Sequence, residues 1–147
     1  MSVLIIEDDE GVRHSLAELL YEEGYEVQMA SDGSDALALL QEEPLPSLIL
    51  LDLMMPTMNG GEFRARQLSD PRLASIPVIV VSARPDVGER AKELAADDYL
   101  MKPMSFEALI HVVQNRAITV VTSTSLPGKP KTLAEAWRTL RPSSRDD

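Results

Sequence analysis

Short apolar runs alternate along the chain with stretches in which apolar positions recur every three or four residues. Val3-Leu4-Ile5-Ile6, Leu48-Ile49-Leu50-Leu51 and Val78-Ile79-Val80-Val81 have the unbroken Leu/Ile/Val composition of strands buried on both faces. Val27 to Ala30 reads as a weaker strand with mixed faces, and Tyr99-Leu100-Met101 as a short fifth one. Between them lie helical patterns. Val12, Leu16, Leu19 and Leu20 fall at i, i+4, i+7 and i+8 with Gly24 as a stop, and Phe106, Leu109, Ile110 and Val113 fall at i, i+3, i+4 and i+7 behind Ser105 as N-cap. Asp32, with Asp35 three residues on, resembles a capping box for a helix over residues 36–40. The segments around Phe63 and from Arg90 to Leu94 complete five β-then-α units.

Repeated units of this kind predict a parallel sheet with helices on both faces and right-handed crossovers. For five strands the leading arrangement is a doubly wound α/β fold of flavodoxin-like order 2-1-3-4-5, with its ligand crevice beyond the carboxyl ends of strands 1 and 3. Fold alone assigns no function, so the residues at the strand ends must. They are Glu7, Asp8 and Asp9 after the first run, Asp52 after the third, Ser82 after the fourth and Lys102 after the fifth. The predicted order brings Glu7 or Asp8 next to Asp52, with Ser82 and then Lys102 along the same rim. Two carboxylates about 4 Å apart repel by roughly 4 kcal/mol at an effective dielectric of about 20, and a divalent cation removes that cost.

The absence of cysteine excludes disulfides, thiol nucleophiles and thiolate metal sites, and leaves any metal chemistry to oxygen ligands or the two histidines in 147 residues. Mg²⁺ suits such a cluster, since it takes one or two carboxylates and fills its octahedron with waters and phosphate oxygens. A lysine ammonium and a serine hydroxyl then complete a site for a phosphoryl group, and a carboxylate is a competent nucleophile that yields an acyl phosphate. Phosphoryl transfer asks the protein mainly for alignment and charge stabilisation, so no separate general base is required. Taken singly, each residue suits an ordinary role: an acidic first helical turn, a turn or cap aspartate, a loop hydroxyl, a solvated lysine. Chance does not readily place all four at one edge of one sheet.

Charge narrows the partners. Residues 1–115 carry 8 Lys/Arg against 21 Asp/Glu, net −13, and residues 116–147 carry 6 against 3, net +3, which together give −10. An acidic body of this kind disfavours direct nucleic-acid binding and favours proteins and metal ions. No stretch approaches the roughly 18 apolar residues of a membrane span, and MSVLIIEDDE lacks a basic secretory leader. A cytoplasmic location without membrane insertion is expected.

The stretches LIIEDDEGVR, LILLDLMMPTMNGGEF, IPVIVVSA and ADDYLMKP occur in the order found in the receiver domains of two-component response regulators, and residues 2–116 closely resemble that family. The resemblance implies that Asp52 is the phosphoacceptor, that Asp8 contacts Mg²⁺ directly and Glu7 through water, and that the backbone carbonyl of Met54 reaches the metal. It assigns the family's hydroxyl and lysine to Ser82 and Lys102, a cis bond to Lys102-Pro103, and the aromatic that buries when the hydroxyl turns toward the phosphoryl group to Tyr99. It also implies that the surface of helix 4, strand 5 and helix 5 responds. Pro56 and Gly60 are expected to shape the loop after Asp52. Two departures fall on helix 4: Ser82 to Lys102 is two residues shorter than the usual family spacing, and Ala95 stands where a glycine is common at the helix exit.

These readings place a receiver domain at residues 1–116 and a linker-like tail at 117–147. In the tail, SLPGKPK reads as linker, while a capping box at Thr132 to Glu135 and the spacing of Leu133, Trp137 and Leu140 predict a short amphipathic helix at 132–141. The expected function is a phospho-accepting switch, not an enzyme acting on outside substrates. Its donor would be a sensor histidine kinase or phosphotransfer protein and its reader a downstream protein target, and a homodimer is compatible with this. Two alternatives belong to other classes: the N-terminal receiver of a longer transcriptional regulator, and a Mg²⁺-dependent phosphohydrolase with an aspartyl-phosphate intermediate. Against the hydrolase stands Met54, at the position where such enzymes commonly carry an acid/base aspartate.

Overall fold

The structure, a computed structural model, describes residues 1–55 and 58–122, with the backbone alone for 116–122. The chain divides into a unit spanning Met1–Pro103 and a second beginning at Met104. The first unit holds β1 (Ser2–Ile6), α1 (Glu10–Glu22), β2 (Glu26–Ala30), α2 (Gly33–Leu39), β3 (Leu48–Asp52), α3 (Gly60–Ser69), β4 (Val78–Ser82), α4 (Val87–Glu93) and β5 (Asp98–Met101). All strand pairs are parallel and the sheet order is β2-β1-β3-β4-β5, as the alternating pattern predicts.

Apart from Ser2 at the start of β1 the central strands are buried throughout, and their two faces can be told apart by the two-residue period. Leu4, Ile6, Ile49, Leu51, Val78 and Val80 join Ala36 and Leu40 at α2, Phe63 of α3 and Val87 and Ala91 of α4 in one apolar cluster. The alternate residues Val3, Ile5, Leu48, Leu50, Ile79 and Val81 are equally buried. On α1 the buried positions are Leu16 and Leu20, and that helix packs along β1 and β2. No helix among the described residues is long and apolar enough to cross a membrane.

The helix ends follow their local chemistry. Asp32 Oδ1 accepts from the Asp35 amide at 2.8 Å, but the Asp35 carboxylate takes the Ser31 amide instead of closing the box on Asp32, and α2 begins at Gly33. The reciprocal capping box forms at α3, where Asn59 and Glu62 each accept the other's amide. The short spacing between Ser82 and Lys102 is met by an α4 of seven residues.

In the second unit, α5 (Phe106–Thr122) starts at Ser105, whose Oγ accepts from the Ala108 amide at 3.0 Å. Its helical backbone runs past Arg116. The linker and the helix expected at 132–141 lie outside the described residues, as does Pro56.

Gly60 opens α3 where the chain turns back toward β3. A Cβ there would lie 2.8 Å from the Asp52 carbonyl oxygen and 2.9 Å from Leu53 Cα, so the backbone itself would have to move. Overpacking of this kind typically costs about 1–3 kcal/mol. Gly60→Ala is therefore expected to lower the unfolding free energy by about that amount in urea titrations, and an unchanged midpoint would contradict the close approach.

Candidate functional site

The ends of β1, β3, β4 and β5 deliver polar groups to the carboxyl edge of the sheet. After β1 the ladder continues for one residue, with the Glu7 amide donating to Ala30 O, and the Glu7 side chain is buried. The three acids that follow β1 then separate. Asp9 is the N-cap of α1, accepting from the Val12 amide at 2.9 Å. Glu7 and the exposed Asp8 gather with buried Asp52, with one carboxylate oxygen from each lying within 4.8 Å of the others. The main chain around Glu7 is held by Arg13, which donates to its carbonyl at 2.8 Å.

Lys102 is the cation of this edge. β5 carries it beside β4, its amide donates to Ser82 O at 2.9 Å, and the bond to Pro103 is cis. Its Nζ lies 2.7 Å from Glu7 Oε1 and 3.7 Å from Asp52 Oδ1. Asp52 Oδ1 also accepts from the Met54 amide at 3.2 Å. Burial is the largest influence on Asp52 and the charge of Glu7 the next; although Lys102 and the Met54 amide oppose them, its carboxyl is pushed up to about 7. Burial disfavours the ammonium of Lys102, but its bond to Glu7 and the nearby carboxylates outweigh this and raise its pKa above the ordinary value.

Ser82 ends β4, fully buried, one residue beyond the Asp52↔Val81 pair in the register. Its Oγ accepts from the Arg84 amide at 3.1 Å, which leaves the hydroxyl hydrogen to be donated elsewhere. Tyr99, on β5, is about half exposed, and its ring lies against Gly88 of α4, where a Cβ would sit 3.2 Å from the ring. A cleft of about 470 Å³ opens beside the carboxylates, lined among others by Asp8, Met54, Arg84 and Arg90. Arg84 is paired with Asp86 at 2.8 Å.

The structure thus brings Glu7, Asp8, Asp52 and Lys102 into one cluster, places Ser82 on the adjacent strand end, and sets Tyr99 on the neighbouring α4–β5 face. Its donor atoms are all carboxylate oxygens, from three acids set against one ammonium, which matches the donor chemistry of a hard divalent cation. Arg84, Arg90 and Arg64 were not predicted. Arg84 and Arg90 carry no local pattern that would mark them as cleft residues. Arg64 had a signal: with Gln67 it falls at i+4 and i+7 from Gly60, on the buried face of α3, where a charged residue is out of place.

Known proteins resemble this chain over most of its length. Residues 3–114 match the family model of the response regulator receiver domain. The transcriptional regulatory protein PdtaR of Mycobacterium tuberculosis is 37% identical over 140 residues, which cover 95% of this chain and 67% of PdtaR. The response regulator MprA of Mycolicibacterium vanbaalenii is 41% identical over 110 residues, covering 74% of this chain and 46% of MprA, so the match spans less than half of that protein. Among solved structures, chemotaxis protein CheY4 of Vibrio cholerae superposes with a TM-score of 0.71 at 29% identity, covering 78% of this chain and 96% of CheY4. The response regulator TrrA of Thermotoga maritima, solved in complex with Mg²⁺-BeF, gives 0.69 at 28% identity over 78% of this chain and 97% of TrrA.

The raised Asp52 fixes the sign of a pH effect. Its folded value of about 7 lies above the ordinary 3.8, so its contribution to stability is full below about pH 4, declines as pH rises from about 4 to 7, and levels off above. Without divalent cation, Asp52→Asn should lack this slope, so denaturation midpoints of wild type and variant should diverge across that window, the variant being the more stable at pH 8. Parallel midpoints from pH 4 to 8 would contradict the raised value.

Proposed function

The chain belongs to the response regulator receiver domain family, and from that membership we propose that it is a phospho-accepting switch whose acceptor is Asp52. The observation that carries this reading is the convergence of Glu7, Asp8 and Asp52, within 4.8 Å of one another, on the single ammonium of Lys102. A carboxylate oxygen of Asp52 attacks the phosphorus of a phosphohistidine on a histidine kinase or phosphotransfer protein. The new P–O bond forms as the P–N bond breaks, and the imidazole leaves. Lys102 moves its charge from Glu7 toward the incoming phosphoryl oxygens, and the Ser82 hydroxyl hydrogen is donated to another of them.

Asp8 and Asp52 would hold Mg²⁺ directly, with the Met54 carbonyl, and Glu7 would do so through water. Bound there, the ion supplies neutralisation of the phosphoryl oxygens. Met54, two residues beyond Asp52, lines the cleft with a thioether that cannot move a proton. This favours a switch that assists only its own phosphorylation and dephosphorylation over an enzyme acting on outside substrates.

The output follows from Ser82 and Tyr99. As the hydroxyl turns to the phosphoryl group, the half-exposed Tyr99 ring moves inward from its place against Gly88, changing the face that α4 and β5 present to a downstream protein. A cytoplasmic location fits such donors. Incubation with a small acyl phosphate and Mg²⁺ should give a labile adduct, detected by intact mass, in wild type and none in Asp52→Asn. Equal labelling of the two would overturn the assignment of Asp52.

A further inference from the structure

Two helices of the sheet unit end in the same backbone motif. At the exit of α1, the Gly24 amide donates to Tyr21 O at 3.0 Å and the Tyr25 amide to Leu20 O at 3.1 Å, with Gly24 at φ 98°. At the exit of α4, the Ala95 amide donates to Lys92 O at 3.0 Å and the Ala96 amide to Ala91 O at 2.9 Å. The left-handed residue there is Ala95, at φ 55°. A residue with a Cβ in this conformation carries a steric cost that glycine avoids. α4 has little of its own to offset this, being seven residues long with no side-chain hydrogen bond from its N-cap, Asp86.

What stands at the α4 exit is Arg64 of α3, a buried guanidinium. Its Nε donates to Leu94 O at 2.9 Å and its Nη2 to Ala95 O at 2.7 Å, while Nη1 donates to Gln67 Oε1 at 2.7 Å. Gln67 donates in turn to Leu73 O and Ile76 O, on the segment leading into β4. The guanidinium therefore meets the exit carbonyls that the helix cannot satisfy itself. Burial disfavours its charge, and Asp97 nearby favours it. On the same face of α3, one turn earlier, Gly60 abuts the Asp52 backbone. One helix thus touches both the end of β3 and the end of α4.

We propose that Arg64 is a positioning residue for the switch: its guanidinium holds Ala95 in the left-handed turn and so fixes α4, which carries Gly88 against Tyr99 and Arg90 to the cleft beside Asp8. The holding role stands on geometry alone, and the consequence for switching rests on Asp52 being the acceptor.

Amide hydrogen exchange tests the clamp in wild type, Arg64→Met, Ala95→Gly and the double variant. Arg64→Met should speed exchange at Leu94, Ala95 and Ala96 by about tenfold or more relative to β1 and β3 amides, which report overall stability. The double variant should return these rates toward wild type, because glycine takes the left-handed turn unaided. Exit amides that move only in step with the strands, or a double variant with no recovery, would overturn the proposal. Should Arg64→Met not fold, Arg64→Lys serves in its place, since an ammonium cannot span both carbonyls as the planar fork does.

The switching arm follows Tyr99 side-chain resonances on addition of a small acyl phosphate and Mg²⁺. Wild type and Arg64→Met should label alike, with the Tyr99 response at least halved in Arg64→Met and restored in the double variant. Equal labelling with an unchanged Tyr99 response would refute the positioning role. Absence of labelling in wild type would instead refute the acceptor reading, leaving the exchange result to decide the clamp.

Discussion

The ammonium of Lys102 lies 2.7 Å from Glu7 and 3.7 Å from Asp52, and against this one charge the acidic edge of the sheet closes. Parallel strands buried on both faces give an ionised carboxylate no solvent to fall back on, so Asp52 at the end of β3 needs a counter-charge from elsewhere in the chain. The sheet order supplies it by setting β1, β3, β4 and β5 side by side with their carboxyl ends together. Burial first and the charge of Glu7 next raise Asp52, and one ammonium among three carboxylates does not offset them. Such an excess of carboxylate suits the cation of the proposed function.

Much of this arrangement was legible because it is written in local periodicity. Unbroken runs such as Leu48 to Leu51 specify buried strands, and once strands alternate with helices the crossover rule leaves few orders to choose from. Four of the candidate site residues were legible for the same reason: Glu7, Asp52, Ser82 and Lys102 each directly follow an apolar run, so finding the strand end finds the residue. Helix ends were read less well. Asp32 and Asp35 have box spacing, yet Asp35 pairs with Ser31, whereas the complete box forms at Asn59 and Glu62, beside the Gly60 contact with the end of β3. Arg64 carried a signal in its place on the buried face of α3, but its partners at Leu94 and Ala95 are set by tertiary packing, which no spacing rule reaches.

Seen through α3, the departures at helix 4 become one feature. A shorter segment between Ser82 and Lys102 leaves room for a seven-residue α4, and a helix of that length is marginal by itself in water. Its apolar anchors, Val87 and Ala91, hold one side to the core. The exit turn, built on alanine, is held by a side chain from α3. Stability that a longer helix would draw from its own hydrogen bonds is here drawn from a neighbour.

The twin helix exits differ in what completes them. The turn after α1 needs only residues from Leu20 to Tyr25 and a glycine, so it can close as soon as the helix does. The turn after α4 is bonded in addition by a guanidinium 30 and 31 residues upstream of the carbonyls it binds, a non-local meeting that carries a loop-closure cost the α1 turn does not. The complete α4 exit is thereby tied to α3 being in its seat, where the α1 exit is not.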